Sequence, residues 1–269
     1  MPKYSLLLKV AKWTGIVLVL AFLLTHLVAA CFLNKMMFHP DKSSYDKKAK
    51  NLVFIPDAKG DIAAFWIPRY NAKKAILYCH GNGEDIGETI PVLHGLLNAG
   101  FSVLAMDYPG YGLTQGKPSE KEVYRSADAA YRYLTEEKGF APENITVLGF
   151  SIGSGPACYL AEKYPVGGLV FQCGFTSAPR TVTRVRILIQ DPFPNIRRIK
   201  NIKCPKLFLH GDADKIVPYA LGQRVYEAAP EPKQFIGVPG AGHNEVPYTM
   251  PPGAYINLIS RFAGLKTEL

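Results

Sequence analysis

Residues 148–155, Leu148-Gly149-Phe150-Ser151-Ile152-Gly153-Ser154-Gly155, set one polar side chain among glycines where two kinds of sequence meet. The preceding "NITVL" reads as a buried strand, and the segment from Ile152 to about Tyr164 reads as a helix. A G-x-S-x-G turn between strand and helix is sharp. It holds its serine in a strained conformation above the sheet edge, and any Cβ at Gly149 or Gly153 would strike neighbouring backbone. The helix N-terminus aimed at the same point favours negative charge there. Small-residue turns also precede helices that do no chemistry, so the surroundings of Ser151 must decide its reading.

Outward from this turn, short β-type runs alternate with helical stretches. "NLVFIP" and "IAAFWIP" read as an opening hairpin, followed by "KAILYCH", "FSVLAMD", "ITVLGF", "GLVFQ", "KLFLHG" and "KQFIGVPG". Most of these runs are apolar throughout rather than alternating, the pattern of a parallel sheet covered by helices on both faces. Between them, "SEKEVYRSADAAYRYLTEEKG" places Val123, Ala127, Ala130, Tyr131 and Leu134 on one helical face and stops at Gly139. The expectation is an α/β fold with a mostly parallel eight-stranded sheet. With 269 residues, 48% hydrophobic and 20% charged, the chain suits one such domain, over 51–269, behind an appendage.

The appendage is "WTGIVLVLAFLLTHLVAACFL", residues 13–33, uncharged and long enough to cross a bilayer once. Lys3, Lys9 and Lys12 make residues 1–12 a basic region before it, the pattern of a signal or anchor segment. Residues 34–50 then read as a linker. Val28-Ala29-Ala30-Cys31 also has the small-residue pattern that precedes a lipidated cysteine, although apolar residues continue past it through Phe38. Either route attaches the chain to a membrane. The side the domain faces stays open, because lysines follow the span as well as precede it. The remaining cysteines, Cys79, Cys158, Cys173 and Cys204, lack metal-site spacing and read as buried thiols.

A serine hydroxyl needs a general base, itself held by a carboxylate, and in this kind of sheet the chain order is serine, acid, histidine. Of the two histidines after Ser151, His210 ends an apolar run and reads as a residue stabilising its loop. His243, in the glycine-rich "PGAGHNE" after the last strand, has the order and place of the base. The acid belongs after the penultimate strand, where "LHGDADKIVP" offers Asp212 and Asp214, and spacing does not choose between them. An oxyanion hole needs two backbone N–H groups. Ile152 directly follows the nucleophile, and "HGNGED" places Asn82 in the turn after "KAILYCH".

"MMFHP", "YCHGNGEDI", "MDYPGYGLTQG", "GFSIGSGPA", "CPKLFLHGDADKIVP" and "VPGAGHNE" occur in an order that resembles the α/β-hydrolase family of serine hydrolases, specifically its small membrane-anchored members that include protein depalmitoylases. The resemblance covers nearly all of the chain beyond the anchor. It implies the α/β-hydrolase fold, with Ser151 as nucleophile, Asp214 as the acid, His243 as the base, and Asn82 and Ile152 as oxyanion donors. Asp212 becomes a neighbour that supports them. The implied chemistry is cleavage of carboxylic ester or thioester bonds of acylated molecules through an acyl-serine, without cofactor or metal. The same triad cleaves amides, so a serine peptidase of this fold is the alternative, together with a non-catalytic membrane scaffold that keeps the fold.

The segment between "GLVFQ" and "KLFLHG" is a short cap, which implies an open cleft suited to acyl groups on a lipid, a lipidated protein or another small acylated molecule. Arg180, Arg184, Arg186, Arg197, Arg198, Lys200 and Lys203 face a single acid there, Asp191. The segment reads either as a solvated face or as a surface resting on anionic lipid headgroups beside the anchor. Nucleic acid is not expected, since no base-reading motif accompanies the net charge of +9. Phosphate-loop and dinucleotide motifs fail as well: "HGNGEDIGET" lacks the required lysine, and "GYGLTQG" carries Gln115 where the third glycine belongs.

Overall fold

The computed structural model describes residues 2–183 and 191–265. Arg184 and Arg186 of the expected basic cap lie outside the described residues. The β-branched and aromatic runs form eight strands: β1 (Leu52–Ile55), β2 (Ile62–Ile67), β3 (Ala75–Cys79), β4 (Ser102–Met106), β5 (Ile145–Phe150), β6 (Gly168–Gln172), β7 (Lys206–Gly211) and β8 (Lys233–Val238). They make one sheet in the order β1-β2-β4-β3-β5-β6-β7-β8. β2 is antiparallel to both its neighbours, and all pairings from β4 to β8 are parallel. Every residue of β3 to β7 is buried, as a sheet covered on both faces requires.

The helices are α1 (Pro2–Met37), α2 (Ile90–Asn98), α3 (Glu120–Arg132), α4 (Ser154–Lys163), α5 (Asn195–Arg198), α6 (Tyr219–Ala228), α7 (Val246–Thr249) and α8 (Ala254–Phe262). The apolar stripe of α3 packs with α4 and one face of β3, β5, β6 and β7 in one core, through Val123, Ala127, Ala157 and Leu169. α2 and α8 cover the other face through Leu93, Leu96, Tyr255 and Ile259. At the start of α3 the Ser119 hydroxyl accepts from the Glu122 amide, and Glu120 and Glu122 put negative charge in the first turn. α3 is followed by a wide turn, Tyr133–Glu137, before Gly139 at φ +69° reverses the chain.

The topology positions the site. From β3 the chain crosses through α2 to β4 on one side; from β5 it crosses through α4 to β6 on the other. β3 and β5 are paired neighbours, with Cys79 opposite Gly149. Their connections therefore leave in opposite directions, which opens a crevice beyond their carboxyl ends, the place where open α/β sheets bind ligands. The two loops at that crevice carry Asn82 and Ser151.

α1 is longer than the apolar run that forms it, and at 36 residues spans about 54 Å. Its window Lys9–Val28 is apolar enough to cross a membrane, and apart from His26 its residues are exposed. The two hydrogen-bonding side chains late in the run, Thr25 and His26, return to carbonyls one turn back: Thr25 Oγ1 donates to Ala21 and His26 Nδ1 donates to Phe22. The helix continues through Cys31, whose side chain lies outside the described atoms.

Candidate active site

Ser151 sits at φ +54°, a left-handed backbone that costs a non-glycine residue about 1–2 kcal/mol. Neighbouring glycines make the turn possible. A Cβ on Gly149 would overlap the Gly153 carbonyl and Ala157, and one on Gly153 would overlap the carbonyl of Cys79 in β3. Gly155 has a different reason, since its missing side chain admits the Phe193 ring of the cap against α4.

The turn brings Ser151 Oγ to 2.9 Å from His243 Nε2, and His243 Nδ1 lies 2.7 Å from Asp214 Oδ2. A carboxylate only accepts, so Nδ1 carries the proton and Nε2 presents its lone pair to the serine hydroxyl. Ser151, Asp214 and His243 are all buried. Asp214 uses both oxygens. Oδ1 accepts from the amides of Ile216 (2.9 Å) and Val217 (2.8 Å), while Oδ2 takes His243 and stands 3.2 Å from His210 Nε2. Burial alone would raise its pKa. The hydrogen bonds from His210 and His243 outweigh that and hold the carboxyl well below the ordinary carboxylate range.

Asp212, the competing aspartate, lies on the surface and its Oδ1 accepts from the Gly240 amide at 2.7 Å. That bond ties the loop after β7 to the loop bearing His243. Ala213 N donating to Ala241 O (3.0 Å) is a second tie, and a Cβ on Gly211 would overlap the same Ala241 carbonyl. Asp214 and His243 are thus fixed relative to one another by backbone as well as by their own hydrogen bond.

A cleft of about 280 Å³ opens over these groups, bordered by Asn82, Glu84, Phe150, Ser151, Ile216 and His243. Ile152 lies in the turn Ser151–Gly153 that leads into α4, where amides lack intrahelical acceptors, and the Asn82 amide has no acceptor among the described residues. Two features of this cleft escaped the sequence. Glu84 puts a carboxyl on the border of the cleft that Ser151 shares; burial pushes it up to about 7, against the opposing effect of a 2.7 Å hydrogen bond from the Gly81 amide. Ile216, 59% exposed, supplies apolar surface at the rim. The spacing in "HGNGED" was the only available signal for Glu84, and none existed for Ile216.

One grouping of metal-capable side chains occurs among the described residues: Cys173 with Asp214 and His243, their ligating atoms within 4.8 Å of one another. Asp214 and His243 are already engaged with each other. Burial pushes the Cys173 thiol up to about 12, so it is protonated at neutral pH and a poor ligand. In the cap, Arg198 pairs with Glu162 and lies over the Tyr124 and Tyr159 rings, whereas Arg197, Lys200 and Lys203 are exposed.

The model of the alpha/beta hydrolase fold family matches residues 74–192. The human alpha/beta hydrolase domain-containing protein 17B is 32% identical over 225 residues, covering 82% of this chain and 77% of that protein. The Caenorhabditis elegans alpha/beta hydrolase domain-containing protein aho-3 is 36% identical over 204 residues; the match takes in 75% of this chain but only 60% of that longer protein. Among solved structures, the Pyrococcus furiosus esterase Pf2001 superposes with a TM-score of 0.68 over 84% of this chain and 97% of its own, at 18% identity. The esterase domain of a Rhodothermus marinus protein superposes at 0.61, over 78% of this chain and 97% of that one, at 17% identity.

Proposed function

The chain belongs to the α/β-hydrolase family, and on that premise we propose that it is a membrane-anchored serine hydrolase that cleaves ester or thioester bonds of acylated lipids, lipidated proteins or smaller acylated molecules. The observation that carries this reading is the continuous relay Ser151 Oγ, His243, Asp214, with links of 2.9 and 2.7 Å above the sheet edge. Ser151 Oγ attacks the acyl carbonyl while His243 Nε2 takes its proton. The oxyanion settles on the backbone N–H groups of Asn82 and Ile152, and the imidazolium is stabilised by Asp214. His243 then protonates the departing alcohol or thiol. A water deprotonated by the same imidazole releases the acid and regenerates Ser151. Every proton is handled by the protein, so the reading assigns no cofactor.

Membrane attachment is supported by α1: Trp13 at 66%, Leu18 at 65% and Leu24 at 61% exposure form an apolar surface that water does not tolerate over such a length. Among the described residues of the cap, half-buried Arg180 and exposed Arg197, Lys200 and Lys203 are charges that could meet anionic headgroups, Arg198 being occupied by Glu162. The cleft over Ser151 suits acyl groups presented by a membrane.

A fluorophosphonate probe tests the chemistry. The full chain in detergent should be labelled, and Ser151→Ala should not. A series of chromogenic esters and thioesters of increasing acyl length, run beside aminoacyl amides, then assigns the bond. Folded protein that is not labelled, or that turns over only the amides, would overturn the proposal.

A further inference from the structure

The eight residues that follow α1, Phe38 to Tyr45, do not hang between anchor and domain. Phe38 is buried, its ring edge-on to Phe193 of the cap at 6.0 Å. The His39 amide donates to both the Asn82 side-chain oxygen and the Tyr111 hydroxyl, each at 3.2 Å, and the Tyr111 hydroxyl itself donates to that Asn82 oxygen at 2.6 Å. Ser44 donates through its amide (2.7 Å) and its hydroxyl to the Asp85 carboxylate. The Tyr45 hydroxyl donates to Asp107 and accepts from the Leu113 amide at 3.3 Å, while its ring rests on Phe65. Asp85 and Asp107 in turn hold the loop after β3, accepting from the amides of Gly87 (2.9 Å) and Ile86 (3.1 Å).

Two glycines leave room for this docking. A Cβ on Gly87 would overlap Ser44 Oγ, and one on Gly112, at φ +49°, would overlap Asp107 and crowd the Tyr45 hydroxyl. The loop so held, residues 80–87, is the one that presents the Asn82 amide to the cleft. An oxyanion donor is effective only if it is already aimed when charge develops, because reorientation during reaction would consume the stabilisation.

The geometry points to residues Phe38–Tyr45 as a strap that positions the oxyanion-hole loop, with Tyr111, Ser44 and Tyr45 as positioning residues acting through Asn82, Asp85 and Asp107. This inference rests on the hydrolase reading above and assigns catalytic weight to a segment outside the conventional site. The His39–Tyr111–Asn82 triangle fixes the Asn82 side chain, and with it the peptide plane carrying its N–H. The Ser44 and Tyr45 bonds fix the far end of the same loop.

The test uses the full chain in detergent micelles with a soluble short-chain nitrophenyl ester, so that delivery of substrate by a membrane plays no part. Tyr111→Phe deletes one hydroxyl and keeps the ring; Ser44→Ala with Tyr45→Phe removes the two hydroxyl bonds to Asp85 and Asp107 and leaves only the Ser44 amide at the other end. Each should lower kcat about tenfold, part of the 10²–10³ that a whole oxyanion donor supplies, with KM within twofold. A trifluoromethyl ketone, which adds to the serine and places an oxyanion in the hole, should bind about tenfold more weakly to the same variants. Tyr70→Phe, at a residue 91% exposed, is the control. Unchanged kcat and unchanged ketone affinity in Tyr111→Phe would overturn the strap, even if its melting temperature fell. Should the double variant not fold, Tyr111→Phe alone carries the decision. Failure of the wild type to hydrolyse the ester or take the fluorophosphonate would instead sink the hydrolase reading, a result readily told apart from active wild type with equally active variants.

Discussion

His210 lies beneath Asp214, its Nε2 3.2 Å from the carboxylate oxygen that also receives His243 and 3.0 Å from the Val217 carbonyl. A carbonyl only accepts, so Nε2 carries the hydrogen and shares it between the two oxygens. His210 therefore bears on His243 through Asp214. His210→Ala should lower kcat about tenfold on a soluble ester, and its effect should be less than additive with Asp214→Asn in a double-mutant cycle. Full additivity would deny the connection.

Asp214 carries a pH signature. Its pKa in the folded protein is held below its ordinary value of 3.8, so it contributes stability that is fully present above about pH 4 and is lost as pH falls through the folded value. Asp214→Asn lacks that contribution. The stability gap between wild type and variant, measured by urea unfolding, should be the same at pH 7 and 5 and smaller at pH 3. At neutral pH the variant should lose kcat on the order of 10⁴-fold, because an amide does not hold His243 in the required tautomer.

Glu84 should behave in the opposite sense. Burial raises its carboxyl from 4.5 to about 7, so the folded protein binds its proton more tightly than the unfolded chain does. Stability is then lost as pH rises from 4.5 through 7. Glu84→Gln keeps an oxygen for the Gly81 amide and has nothing to ionise. Its melting temperature relative to wild type should be higher at pH 8.5 than at pH 4.5, measured by differential scanning fluorimetry.

Gly153→Ala tests the elbow. Its Cβ would press on the Cys79 carbonyl, a backbone atom of a central strand that has little freedom to yield. A loss of about 3 kcal/mol or more in urea unfolding is expected, at the top of the range for overpacking. An alanine variant as stable as wild type would show that β3 and β5 shift apart more readily than their register suggests.

How much of this was legible before folding depends on how far each signal reaches along the chain. The strands announced themselves because burial on both faces forces apolar runs, and the turn at Ser151 because it requires glycine two residues to either side. The order of the strands had no such local signature; it emerges from the opposite crossovers of β3 and β5. "LHGDADKIVP" left Asp212 and Asp214 level on spacing, whereas the fold gives each one a task, with Asp214 capping its own turn and receiving His243 and Asp212 holding Gly240. His210 read as a loop stabiliser and does bond Val217, but its second bond to Asp214 depends on a loop path that spacing does not encode. The Tyr111–Asn82 bond joins residues 29 apart, and His39 reaches Asn82 from 43 away, with no periodicity to mark either. α1 outruns its apolar segment because backbone hydrogen bonding, once begun, continues through Lys35 and Met37 regardless of polarity.

If α1 is embedded as proposed, the docking of Phe38 within one residue of the helix end leaves the enzyme no leash. Its mouth is carried at one altitude over the lipid and at one bearing around the helix axis. A substrate too deeply sunk or held too far out would be spared however reactive its bond. Selectivity would then be set partly by reach, like that of a tool fixed to its bench.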